Sequence, residues 1–247
     1  MSFVELNTVP CAGAPDTAAP IVCFAPAAAN AQYWRFLVGE LPHHRILAAE
    51  YPGRGRSMSL PFMTSRTELV GMLVDELRDI LTPSEWADAV FVGHSVGVQI
   101  AFEMVLVSPA RWLVLSARNN DITGRAPRAP DHLTSTQEEL LSWVTHLGGI
   151  PDMVTRHPEL ARMVAKTLRA DLALSASPCA PGVVQANAIL MCGDSDPAAT
   201  LEQMAGWKDR IRGTIMEVKL AGDHDAIRQD HEQWVRVLRH ALEKDHR

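Results

Sequence analysis

Between Ala89 and Val107 the chain runs from a short apolar segment, through Gly93–His94–Ser95–Val96–Gly97, straight into a helical pattern. No other feature narrows the possible folds so far. A serine between two glycines at this spacing, after a strand and before a helix, describes a sharp strand–turn–helix elbow. The turn strains the backbone at Ser95, and the glycines remove side chains that would strike the neighbouring strand and helix. The hydroxyl is left at the carboxyl end of a sheet, above a helix N-terminus whose free N–H groups and partial positive charge favour a developing oxyanion. A tight structural turn with an idle serine would share the pattern but not need the context.

The flanking sequence supplies the sheet. Pro20–Phe24, Arg45–Tyr51, Ala89–Val92 and Trp112–Leu115 are short apolar runs that read as buried strands. Between them, Gln32–Leu41 reads as a helix and Pro52–Gly55 as a turn. Ser65 with Glu68 forms a capping box that opens a helix with Leu69, Met72, Leu73, Leu77, Ile80 and Leu81 at helical spacing. Val96–Val107 is the helix after the elbow. Apolar strands alternating with amphipathic helices imply an α/β fold, a mainly parallel sheet with helices on both faces.

That rhythm stops from about Ala117 to Ala186, where no strand is convincing. Arg125–Pro130 reads as a loop. Ser135 with Glu138 opens a helix stopped at Gly148–Pro151, and Pro158 precedes another over Glu159–Leu174. Strands resume at Ala188–Met191 and near Thr214–Leu220, and His231–Lys244 closes the chain as a helix with Trp234, Val237, Leu238, Ala241 and Leu242 on one face. The expectation is one domain, 1–247, with a helical lid inserted over about 117–186.

At 247 residues such a domain buries about three quarters of its unfolded surface and needs no metal or disulfide support. A net charge of −6 without a basic stripe argues against nucleic acid. No stretch has the length of a membrane span, and the N-terminus lacks the basic and apolar regions of a signal peptide. Cys11, Cys23, Cys179 and Cys192 form no CxxC pair and read as free thiols of a cytoplasmic protein.

A serine needs a base to take its proton and a third group to orient that base. Among ten histidines, His224 is best placed, in a loop directly after the Thr214–Leu220 strand. His43, His44, His231, His240 and His246 fall in a loop or on solvated helix faces, and His94 should point away from the nucleophile. For the acid, Gly193–Pro197 follows a strand and offers Asp194 and Asp196. Asp196 is preferred because it lies further into the loop, which leaves Asp194 to cap it. Asp223 and Asp225 flank His224 too closely to orient its ring. No second histidine has metal-ligand spacing. For the oxyanion, one N–H donor is that of Val96 and the other lies in the Ala25–Asn30 loop.

Taken together, the pieces Phe24–Ala31, Tyr51–Arg54, Gly93–Glu103, Leu168–Asp171, Gly193–Pro197 and Gly222–His224 resemble the type II thioesterases of nonribosomal peptide and polyketide synthases. The resemblance spans nearly the whole chain, from Phe24 to about Trp234. It implies an α/β-hydrolase fold with a helical lid, and hydrolysis of acyl groups stranded on the phosphopantetheine arm of acyl or peptidyl carrier proteins, without metal or diffusible cofactor. It assigns Ser95 as nucleophile, Asp196 as acid and His224 as base; within the Ala25–Asn30 loop, Ala27 is the expected oxyanion donor beside Val96. The chain departs from the family in having Ala28 and Ala29 where two glycines are usual, Ala25 and Pro26 in place of a proline-led pair, and Asp225 and Ala226 where aromatic residues are usual. The segment between the elbow helix and Trp112 is also shorter. These departures bear on substrate range more than reaction type. A small-molecule esterase or acyltransferase, or a non-catalytic carrier- or ligand-binding protein, would fit the same pattern of residues.

Overall fold

A computed structural model describes residues 2–7, 18–120, 129–148, 150, 152–176 and 178–243. Among these residues seven strands form one sheet in the order β1-β3-β2-β4-β5-β6-β7. They are β1 (Phe3–Glu5), β2 (Ile21–Phe24), β3 (Ile46–Ala49), β4 (Val90–His94), β5 (Trp112–Ser116), β6 (Asn187–Gly193) and β7 (Ile215–Leu220). All neighbours pair in parallel except β1, which runs antiparallel to β3 with Val4 opposite Ala48. The sequence reading has no β1. Three residues are too few to show an alternation, and the strand exists because the edge of β3 offers it a ladder.

Among the described residues ten α-helices complete the order, beginning with α1 (Leu37–Glu40), α2 (Arg66–Ile80), α3 (Pro83–Asp88) and α4 (Val96–Val107). Between β5 and β6 lie α5 (Gln137–His146), α6 (Asp152–Arg156) and α7 (Pro158–Ser175). The last are α8 (Leu201–Met204), α9 (Ala226–Gln229) and α10 (His231–Glu243).

Strand alternation sends side chains to two cores. Phe24, Phe91, Leu113 and Leu190 meet Leu69, Leu73 and Leu77 of α2 and Phe102 of α4 on one face. Ile21, Val90, Val92, Val114 and Ile189 meet Trp34, Leu37, Trp234 and Leu238 on the other. Both faces are covered, as continuous apolar strands require. A third, smaller cluster of Leu140, Val144, Leu168 and Leu172 joins α5 to α7 away from either face.

Three local expectations change. Gln32–Leu41 is a 3-10 turn, Ala31–Trp34, followed by the single turn of α1, because Gly39 weakens propagation and Pro42 stops it. The box that opens α5 is Thr136 with Glu139, one residue beyond Ser135 with Glu138. Ser135 instead closes the preceding turn, its N–H donating to the Asp131 carbonyl at 3.0 Å. Another capping box, Thr82 with Glu85, starts the unanticipated α3. The helix stop at Gly148–Pro151 holds at Gly148, which takes φ 76 just past the end of α5. Gly149, Pro151, most of the Arg125–Pro130 loop, Cys11, His246 and Lys244 lie outside the described residues. Among the described residues no helix is long and apolar enough to cross a membrane.

Candidate active site

The elbow forms as its glycines demand. A Cβ on Gly93 would lie 2.5 Å from the Gly97 carbonyl oxygen, and one on Gly97 would lie 2.1 Å from that of Phe24. Helix α4 can therefore fold back onto β4 only with glycine at 93, and press against β2 only with glycine at 97. Ser95 is held at φ 52, ψ −117, a region that L-residues rarely adopt. Its N–H donates to the Ser116 carbonyl at 2.9 Å, which ties the turn to β5.

Two further loops reach the hydroxyl from the carboxyl ends of β6 and β7. Gly193 ends β6 so close to the next loop that a Cβ there would lie 2.1 Å from the Asp223 carbonyl oxygen. This contact brings the acid loop against the histidine loop. His224 Nε2 lies 3.0 Å from Ser95 Oγ, and its Nδ1 lies 3.1 and 3.0 Å from the two Asp196 carboxylate oxygens. All three side chains are buried. Asp196 is itself fixed by the N–H groups of Ala198 and Ala199, at 2.7 and 3.2 Å. Asp194 accepts from the Gly222 N–H at 3.1 Å and so caps the loop, as its position suggests. Asp223 faces the Asp225 N–H and Gln229 rather than the His224 ring.

Around the hydroxyl is a pocket of about 670 Å³. Trp143 and Val144 of α5, with Leu147 just past its end, Ile150, Ala27, Ala28 and Ala29, give it an apolar lining. The same pocket is also lined by a polar group of Tyr33, Asp225 and Arg228. The Tyr33 hydroxyl donates to Asp225, and the Arg228 guanidinium lies 5.3 Å from the centre of the Tyr33 ring. Burial, more than any charge, raises the Asp225 carboxyl above the usual range, while the Tyr33 hydrogen bond opposes that shift. Among the described residues no group of three or more His, Cys, Asp or Glu could hold a metal ion.

The N–H groups of Ala27 and Val96 have no acceptor among the described residues. That of Ala28 is already taken by Asp171.

His94 departs from expectation. It does not turn away from the site: its ring stacks on Tyr33, lies 5.3 Å from the ring of His224, and lines the pocket. The period of two puts it on the same face as Val90 and Val92, and the β7 loop descends onto that face. Burial first, and then the neighbouring His224, hold His94 well below the usual histidine range. It is therefore a neutral ring at neutral pH, with Nδ1 3.0 Å from Ser116 Oγ. The period that places His94 was legible in the sequence; the descent of a distant loop onto it was not.

A parallel sheet carrying a serine elbow, with an acid and a histidine on the loops after its later strands, defines an α/β-hydrolase. A family model described as the thioesterase domain matches residues 19–244, and the chain belongs to the thioesterase family. It is 28% identical over 231 residues to thioesterase PikA5 of Streptomyces venezuelae, covering 90% of this chain and 79% of that protein. To the probable cadicidin biosynthesis thioesterase of Streptomyces griseus it is 26% identical over 217 residues, covering 85% of this chain but only 58% of that protein's length. The solved structure of BorB, a type II thioesterase from the borrelidin biosynthetic cluster, matches its fold with a TM-score of 0.83 at 22% identity over 97% of both chains.

Proposed function

We propose that this thioesterase hydrolyses acyl groups from the phosphopantetheine arm of acyl or peptidyl carrier proteins in a polyketide or nonribosomal peptide pathway. In this reading Ser95 is the nucleophile, His224 the base, Asp196 its orienting acid, and the Ala27 and Val96 N–H groups the oxyanion donors. Family membership and the biosynthetic relatives support the reaction and its setting. The observation that carries the proposal is the unbroken chain from Ser95 Oγ to His224 Nε2 at 3.0 Å and from Nδ1 to Asp196 at 3.0 Å.

The chemistry follows from that chain. Nε2 takes the hydroxyl proton as Oγ bonds to the thioester carbon, and the carbonyl π electrons move onto oxygen. Asp196 holds Nδ1–H toward itself and stabilises the imidazolium. The two N–H donors meet the new oxyanion, each contributing about a hundred- to a thousandfold in rate. Collapse breaks the C–S bond, and the leaving sulfur takes the proton from His224. Water, deprotonated by the same ring, then releases the acid and restores Ser95. The sulfur is a good leaving group and the pocket's α5 wall is apolar, both suited to an alkyl thioester. The helices within about 117–186 act as a lid over this pocket, part of one domain spanning 1–247. The buried Cys23 and Cys192, free thiols, fit a cytoplasmic setting.

Ser95→Ala tests the assignment on a small acyl-phosphopantetheine thioester. Turnover falls by roughly a millionfold in kcat with folding intact, and a fluorophosphonate labels Ser95 in the unaltered protein. Undiminished turnover, or a serine inert to the probe, removes it.

A further inference from the structure

Two motifs have no part in that chemistry. Tyr51–Arg54 and Leu168–Asp171 are distant in sequence, yet they meet behind the Ala25–Asn30 loop. Arg54 Nη1 donates to Asp171 Oδ2 at 2.8 Å and Nη2 donates to Oδ1, a two-pronged pair with both side chains buried. Neither group serves only the other. Asp171 Oδ2 also accepts the Ala28 N–H at 2.7 Å, and Arg54 Nη1 also donates to the Ala29 carbonyl at 3.0 Å. Nearby, the Tyr51 hydroxyl donates to the Ala25 carbonyl at 3.3 Å, and the Ala29 N–H closes a turn on the Pro26 carbonyl at 3.2 Å.

The loop is thus gripped on both sides of Ala27, while the Ala27 N–H has no acceptor among the described residues. Ala28 is held at φ 64, where an alanine does not rest unaided. Its N–H bond to Asp171 is what fixes it there. A buried ion pair is weak evidence for stability, since desolvation offsets most of its attraction. Its bonds into the loop give this one a different purpose.

We infer that Arg54 and Asp171 are positioning residues: they aim the Ala27 N–H at the site of the oxyanion. Asp171 lies on α7, so the donor is set only while that helix is seated. The inference rests on Ser95 being the nucleophile and Ala27 an oxyanion donor.

Asp171→Asn keeps the shape and an acceptor for Ala28 but removes the charge that anchors Arg54. On the same thioester, kcat falls about ten- to a hundredfold, short of the loss from deleting a donor outright, and KM stays within about twofold. Affinity for a boronic acid that forms a tetrahedral adduct on Ser95 falls by a similar factor to kcat, because that adduct needs the donor as the transition state does. Affinity for a non-hydrolysable pantetheine amide does not change. A loss of general packing would weaken both ligands. Unchanged kcat and boronate affinity, or equal weakening of both ligands, overturns the inference. Should Asp171→Asn not fold, Arg54→Lys serves: it keeps the charge but loses the fork and is expected to shift the same two readouts, and its failure to do so overturns the inference equally. Absence of thioester turnover in the unaltered protein would instead remove the Ser95 reading itself.

Discussion

Ala28 shows how much one backbone angle matters in this site. A left-handed conformation costs a non-glycine residue about 1–2 kcal/mol, and Ala28 adopts it at φ 64. Glycine has no such cost but loses about 0.5–1 kcal/mol more on ordering. Ala28→Gly therefore stabilises the protein by about 0.5–1 kcal/mol, a rise of about 1–4 °C in Tm for a chain of this size; a fall in calorimetric Tm would mean that the alanine methyl makes compensating contacts. At this scale the groups proposed to react were the most legible part of the molecule. Ser95 was marked by its glycines, and His224 and Asp196 by following strands in the order the chemistry needs. Arg54 and Asp171 could be seen only as separate motifs. Sequence separation carries no sign that a turn after β3 and a helix after β5 share one buried ion pair.

Helices α5 and α7 behave as an element with its own small core. Leu140, Val144, Leu168 and Leu172 pack together, with Ala27 and Ala28 against their edge, apart from the two cores that flank the sheet. Removing buried leucine carbons costs about 2–5 kcal/mol. In a cluster this small the cost falls on local opening rather than on the sheet. Leu140→Ala is expected to speed hydrogen exchange across residues 137–175 by at least about thirtyfold, with the β2, β4 and β5 amides unchanged. Uniform loss of protection would show that the helices and sheet open together. The strands and long helices were legible because their periods are distinct. The Ala31–Glu40 segment was not, since burial of Trp34 and Leu37 imitates a helical pattern that the backbone completes only as two short turns.

At the scale of the whole molecule, the parallel order of the sheet brings three distant side chains to one rim. The elbow lies at the end of β4, and the Asp196 and His224 loops at the ends of β6 and β7. Fold class and chain order were enough to anticipate this convergence. The pocket walls were not: the polar trio of Tyr33, Asp225 and Arg228 joins a turn near β2 to α9 and the loop before it, a contact made by the closure of the fold. The proposal as a whole is tested most directly by intact-mass measurement on an acyl-loaded carrier protein incubated with the enzyme. The unaltered protein should strip the acyl mass and leave the free phosphopantetheine thiol, while Ser95→Ala leaves the carrier loaded. A carrier that keeps its acyl group with the unaltered protein, or loses it equally with the variant, would contradict the account.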